Sequence, residues 1–219
     1  MSTALPHRPA PLVLAAPSGT GKTTIAHALV DRYPTFVFSV SATTRPPREG
    51  ERDGVDYQFV TPERFQARIR DEELVEWARV HGNMYGTPRR NLVEAQDRGE
   101  HVVLDIDVQG ADQIRDRVPQ AILVFILPPT PEALLGRLTA RGTEGMEEVK
   151  RRLRNAREEL QRAGSFHYVV VNDDLERAIG RIRSIVEAEG HRPGRALDLA
   201  GEVARIRKGI DDFISQSQE

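Results

Sequence analysis

The chain has no cysteine, which excludes disulfide staples, thiolate catalysis and cysteine-ligated metal sites together. It also lacks an excess of either charge: 31 Lys and Arg against 33 Asp and Glu leave a formal net charge of −2. Whole-molecule electrostatics therefore favour no polyanion, and a nucleic-acid partner would need a local basic face. No apolar run approaches the roughly 20 residues of a membrane span. Residues 1–11 carry three prolines and no apolar run of signal-peptide length. Internal repeats and low-complexity tracts are missing too. Together these absences predict a soluble, cytoplasmic protein with neither membrane nor nucleic-acid partners, preceded by a short flexible leader over residues 1–10.

What is present is βα alternation. At 219 residues the chain suits one α/β domain with insertions. Apolar runs of strand length recur at 12–15, 36–40, 102–106, 121–127 and 168–171. They are continuous rather than alternating, as expected of strands buried on both faces of a parallel sheet. Helical stretches fall around 24–32, 109–117, 131–140, 147–162 and 175–189. The pattern predicts a doubly wound α/β core with a five-stranded parallel sheet. Between 40 and 102 it breaks into short alternating pieces and a helix over 62–71. Some sixty residues exceed any simple crossover and read as a separate inserted lobe. Gly142 to Gly145, between two arginine-rich helices, reads as the tip of a mobile flap. The expected organisation is a domain over 11–190, with core 11–38, 101–135 and 156–190, lobe 39–100 and helical lid 136–155, followed by an extension over 191–219. In that extension Val203, Ile206, Ile210 and Phe213 recur at spacings of three, four and three. This is an amphipathic helix over 196–215 that could dock on its own core or on another subunit, so monomer and homo-oligomer both stay open.

Ala16-Pro17-Ser18-Gly19-Thr20-Gly21-Lys22-Thr23, after an apolar strand and before the helix opened by Thr24, is a phosphate cradle in its confirming context. The glycines let main-chain N–H groups approach phosphate oxygens, Lys22 would contact the outermost phosphates, and the Thr23 hydroxyl would ligate Mg²⁺. One departure is that the pattern's first glycine is Ala16, which is tolerable where no positive φ is needed.

The acceptor must be read elsewhere. Ser41, Arg45, Arg48 and Tyr57 cluster around a proline-stiffened segment, where two guanidinium forks and hydroxyls suit a phosphate monoester; a solvated turn with incidental charges is the alternative. Glu76, read as lying within an apolar helix end, is expensive to bury unless it meets donors, and the N1–H and 2-amino group of guanine are such a pair. A surface pairing with Arg79 is the plainer alternative. In Val102 to Gly110 an apolar strand ends in Asp105, placing a carboxylate near Mg²⁺ as a Walker-B-like element. Asp107, two residues on, shares its side if the strand stays extended, and otherwise caps the next helix. Arg137 and Arg141 share a helical face, with Arg152 beyond the flap tip. Such arginines can neutralise charge on a transferring phosphoryl group, or can be solvated helix charges.

Taken together, A-P-S-G-T-G-K-T, S-V-S-A-T-T-R-P-P-R-x-G-E, G-x-D-Y-x-F-V, E-W-A-x-V-x-G-N-M-Y-G-T, L-D-I-D-V-Q-G, F-I-L-P-P, R-G-T-E and V-N-D-D, in that order, resemble guanylate kinases over about residues 11–189. The resemblance implies a P-loop core with an inserted GMP-binding lobe and a lid, and ATP-dependent phosphorylation of GMP, and of dGMP, to GDP. It implies that Ser41, Arg45, Arg48, Tyr57 and Tyr85 bind the GMP phosphate, and that Glu76, Thr87 and Asp107 read guanine. It further implies that residues 16–24 with Lys22 hold ATP, that Arg45, Arg137, Arg141 and Arg152 act with Lys22 on the transferring group, that Asn172 lies near adenine, and that Asp105 lies near hydrated Mg²⁺. Met84 replaces an aromatic often found beside the phosphate-binding tyrosine. A relative acting on another phosphate monoester would retain the P-loop but not the guanine-reading set. A non-catalytic peptide-binding scaffold usually has a degraded P-loop, whereas Lys22 and Thr23 are kept here.

Overall fold

In the computed structural model, which describes residues 8–80, 82–139 and 146–216, the expected α/β core forms. Its sheet has the order β2-β7-β1-β8-β9, with β1 Leu12–Ala15, β2 Phe36–Phe38, β7 His101–Asp105, β8 Ile122–Leu127 and β9 Tyr168–Val171. Every pairing in it is parallel. The pleat sorts β1 to both faces. Leu12 and Leu14 pack with Ile25 and Leu29 of α1 (Lys22–Arg32) and Ile179 and Ile182 of α7 (Leu175–Gly190). Val13 and Ala15 pack with Ile114 of α4 (Val108–Arg117), Phe125 and Phe166. Burial on both faces is why the strand runs are continuous rather than alternating.

The insertion carries a second sheet of order β4-β3-β6-β5, with β3 Ala42–Thr43, β4 Gln58–Phe59, β5 Leu74–Val80 and β6 Asn83–Pro88. Its small core holds Ala42, Leu74, Met84 and Phe65 from α2 (Pro62–Arg70). This corrects the reading of Glu76: it lies on β5, paired antiparallel with β6, and not at a helix end. The register shifts between Leu74 and Glu76, so Val75 and Glu76 are both buried and the two-residue alternation that marks a strand is lost. Helix α3, Arg89–Asp97, had no counterpart in the expected elements. Its Ala95 and Leu92 pack on the core sheet.

Helix α5 (Pro131–Thr139) packs on α6 (Met146–Leu160) through Leu134, Leu138 and Ala156. The flap tip, Gly142 to Gly145, and Arg141 lie outside the described residues. Helix α8, Leu199–Gln216, runs beyond the core with Val203, Ile206 and Ile210 exposed. Among the described residues no helix is long and apolar enough to cross a membrane.

Candidate functional site

The loop between β1 and α1 presents its main chain. Gly21 is the N-cap of α1 at φ 90°, with no side-chain cap and no acidic residue in the first turn, so the positive end of the helix faces the cleft uncompensated. A Cβ on Gly21 would stand 2.8 Å from Asn172 Nδ2, which adds a steric reason for glycine to the conformational one. Ala16 has no positive φ, so its substitution for glycine carries no backbone strain. The Thr20 hydroxyl donates to the Pro17 carbonyl (2.6 Å), and the Thr20 carbonyl accepts from buried Asn172 Nδ2 (2.7 Å) and from Arg137 Nη1 (2.9 Å). Asn172 and Arg137 thus brace the loop from its flanks.

Asp105 ends β7, next to β1, and its carboxylate joins two loop side chains. Lys22 Nζ lies 2.6 Å from Oδ1, and the Thr23 hydroxyl donates to Oδ2 at 2.5 Å. Lys22 also donates to the Ile106 carbonyl at 2.5 Å. Extended strand stops at Asp105, and Asp107 caps α4, accepting from Gly110 N at 2.8 Å. Asp105 and Asp107 therefore serve different elements.

Helix α6 meets the loop at Ser18. Arg152, buried on α6, donates through Nη2 to Ser18 Oγ at 2.9 Å. Two turns along the same face, Glu159 lies beside the Ser18 main chain. Burial pushes the Glu159 carboxyl up to about 7 against the pull of Lys22, and its Oε2 is buried without a hydrogen-bond partner. Sequence reasoning missed Glu159, which reads as one charge among many on α6. Its only trace is the seven-residue step from Arg152.

Across the cleft the lobe supplies side chains. Arg48 lines the cleft, while Arg45 stands just behind it, held by its neighbours. The Arg45 fork pairs with Glu51 (Nη1–Oε2 2.9 Å, Nη2–Oε1 2.8 Å), while its Nε donates to Tyr85 OH at 3.2 Å and its guanidinium lies 5.3 Å from the Tyr57 ring centre. Glu51 also accepts the Arg48 N–H at 2.7 Å. The hydrogen bond from Arg45 holds the Glu51 carboxyl below the usual carboxylate range. Glu51, to which the sequence reading assigned no role, is the organiser of this segment. Burial first, and the Asp105 charge second, push the Tyr57 hydroxyl up to about 12, so it stays an O–H donor.

Glu76 is 3% exposed and is not paired with Arg79 on the surface. It sits opposite Thr87 in the β5–β6 register, and the Thr87 hydroxyl donates to its Oε1 at 2.6 Å. Gly110 makes room for it, since a Cβ there would stand 2.5 Å from Glu76 Oε2. Burial pushes the Glu76 carboxyl up to about 7, opposed by the Thr87 bond and assisted by the Asp107 charge.

A single cleft of about 530 Å³ joins the two halves. Residues 16–24, Asp105, Arg137 and Glu159 line one side, and Ser41, Arg48, Tyr57, Glu76, Tyr85 and Asp107 line the other. The remaining predicted residues, Arg45, Thr87, Arg152 and Asn172, stand behind this lining and touch it through the contacts above. The donor set fits Mg²⁺. A hydroxyl and a carboxylate converge beside a phosphate cradle, leaving the other coordination positions to water and phosphate oxygens, as this hard cation prefers.

The family model for guanylate kinase matches residues 8–189. The guanylate kinase of Syntrophotalea carbinolica is 47% identical over 194 residues, covering 89% of this chain and 92% of its own. That of Myxococcus xanthus is 48% identical over 200 residues, covering 91% and 93%. The crystal structure of guanylate kinase from Anaplasma phagocytophilum, 35% identical, superposes with a TM-score of 0.74 over 89% of this chain and 93% of that one.

Proposed function

The chain belongs to the guanylate kinase family, and from that premise we propose that the cleft between the two walls holds MgATP and GMP together and passes the γ-phosphoryl group between them. The reaction is ATP-dependent phosphorylation of GMP to GDP. A GMP phosphate oxygen forms the new bond to the γ-phosphorus, the bond from that phosphorus to the β–γ bridging oxygen breaks, and ADP leaves. The acceptor oxygen is already anionic near neutral pH, so no protein general base is required.

The observation that carries this reading is the shared lining, with a phosphate cradle on one wall and a buried carboxylate, Glu76, on the other. Main-chain N–H groups within residues 16–24 and the charge of Lys22 receive the ATP phosphates, with Asn172 at the flank beside adenine. Ser41, Arg45, Arg48, Tyr57 and Tyr85 take the GMP phosphate. Glu76 accepts from N1–H and the 2-amino group of guanine, with Thr87 and Asp107 fixing it from either side. Two such donors pull a carboxyl raised by burial back to its anionic form. Thr23, and Asp105 through water, would hold Mg²⁺, which when bound supplies charge neutralisation on the phosphates. Arg137, Arg141 and Arg152 close on the transferring group, where positioning and electrostatics carry the rate. Closure also excludes water and limits ATP hydrolysis. dGMP presents the same base and phosphate and enters the same site. The enzyme works in the cytoplasm on these small nucleotides, with no nucleic-acid or membrane partner.

A coupled assay over AMP, GMP, CMP, UMP and dTMP with ATP tests the acceptor. GMP alone is expected to turn over appreciably, and turnover confined to a base other than guanine overturns the assignment.

A further inference from the structure

Helix α8 is not used by the reaction, and its placement is specific. A buried carboxylate, Glu189 at the end of α7, accepts from Tyr168 OH (2.5 Å) and from Arg195 Nη2 (2.9 Å), with Arg192 also paired to it. The segment leading into α8 is therefore tied to the core sheet. Beyond it the apolar side chains turn to solvent: Val203 is 47% exposed, Ile206 50%, Ile210 53% and Phe213 70%. A surface helix usually buries such a stripe against its own domain. Here the stripe instead follows a heptad. From half-buried Leu199 through Val203, Ile206, Ile210 and Phe213 the spacing is four, three, four, three, the seam of a two-stranded coiled coil with β-branched Val203 and Ile210 at the a positions.

We propose that α8 is a dimerisation helix, pairing in parallel with α8 of a second copy of this chain. Charge selects both the partner and the direction. With Val203 and Ile210 at a, Glu202 falls at g and Arg207 at e of the next heptad, so a parallel pair sets Glu202 of each chain against Arg207 of the other. An antiparallel pair brings Arg207 against Arg207, and joins Glu202 only to uncharged residues. Within one chain Glu202 is held by Arg205 through both oxygens (Nε–Oε2 2.9 Å, Nη2–Oε1 2.5 Å), and each oxygen keeps a further lone pair that Arg207 of a second copy can meet. Covering the stripe on both chains removes on the order of 1,000 Å², the lower end of specific interfaces, so the expected dissociation constant is micromolar.

Sedimentation equilibrium of the full chain over roughly 1–200 μM, a range chosen to bracket that affinity, should show a concentration-dependent monomer–dimer equilibrium. Ile206→Glu, on a helix exposed in the single chain, should stay monomeric throughout while its ellipticity and GMP turnover match the parent. Glu202→Arg alone and Arg207→Glu alone should each weaken the dimer roughly three- to tenfold, and the double variant should recover the parent constant within about twofold. A parent that stays monomeric over the whole range, including one that binds only an unrelated protein, overturns the proposal, as does a dimer untouched by Ile206→Glu. Failure of the double variant to recover overturns the parallel pairing.

Discussion

On the β1–α1 side of the cleft, chemistry is presented by main chain: open N–H groups of the loop and first turn, braced by Asn172 and Arg137 on one carbonyl. On the lobe side it is presented by side chains that hold one another, Arg45 by Glu51 and Glu76 by Thr87. The difference matches what each side must recognise. A polyphosphate offers many equivalent oxygens, which a row of amides and one lysine can meet without discriminating. A base must be told from other bases, which takes a buried polar group left unpaired by the wrong ligand. On the proposed reading the lobe stores its specificity in a carboxyl that is costly to bury, and the cradle stores little.

This contrast can be broken or sharpened by substitution. Lys22→Met removes the one mobile charge of the cradle and should lower kcat by on the order of 10³, since a preorganised charge on a transferring group is worth that much; steady-state activity within tenfold of the parent would contradict its role. Glu51→Ala frees Arg45 from its bidentate partner and should lower kcat/KM for GMP about tenfold, the worth of a charge-assisted pair, with the KM for ATP nearly unchanged. A similar rise in both KM values would mean that Glu51 supports the fold rather than the lobe's phosphate site.

Two smaller effects test the physics of each wall. The Glu76 carboxyl is raised to about 7 by burial, so it gains a proton as pH falls through that value and ceases to accept from two donors. The ratio of GMP KM in Glu76→Gln to that of the parent should therefore shrink several-fold between about pH 8 and about pH 6; the GMP phosphate titrates in both proteins and cancels. The stability sign is opposite. The folded carboxyl has the higher pKa, so between the usual carboxylate range and about 7 the folded state binds more protons, and stability falls as pH rises. Glu76→Gln should flatten that part of the melting profile. Least of all, Ala16→Gly should leave kcat within about twofold, because Ala16 needs no positive φ, and should only loosen the unfolded chain slightly. A large gain in activity would show that Ala16 hinders phosphate approach.

The two walls also differ in how far they could be read from the chain. The cradle is contiguous, and its strand, loop and helix are adjacent in sequence, so residues 16–24 and Asp105 were legible together with the parallel core. Glu76 was found as a costly carboxyl but placed on the wrong element, because the register shift between Leu74 and Glu76 buries two successive residues and erases the strand's alternation. Its neighbours in space, Thr87, Gly110 and Asp107, come from β6 and α4, a convergence that no local pattern encodes. Glu51 and Glu159 escaped for the same reason. In a chain where charged residues are 29% of the total, neither stands out until the fold brings Arg45 to Glu51 and buries Glu159 beside the β1–α1 loop.

Glu76→Ala, assayed with GMP and ATP varied separately, bears most directly on the division of labour between the walls. The KM for GMP should rise roughly 10- to 100-fold, the worth of hydrogen bonds to a buried charged group, while the KM for ATP stays within about twofold. An unchanged KM for GMP, or equal rises for both nucleotides, would contradict it.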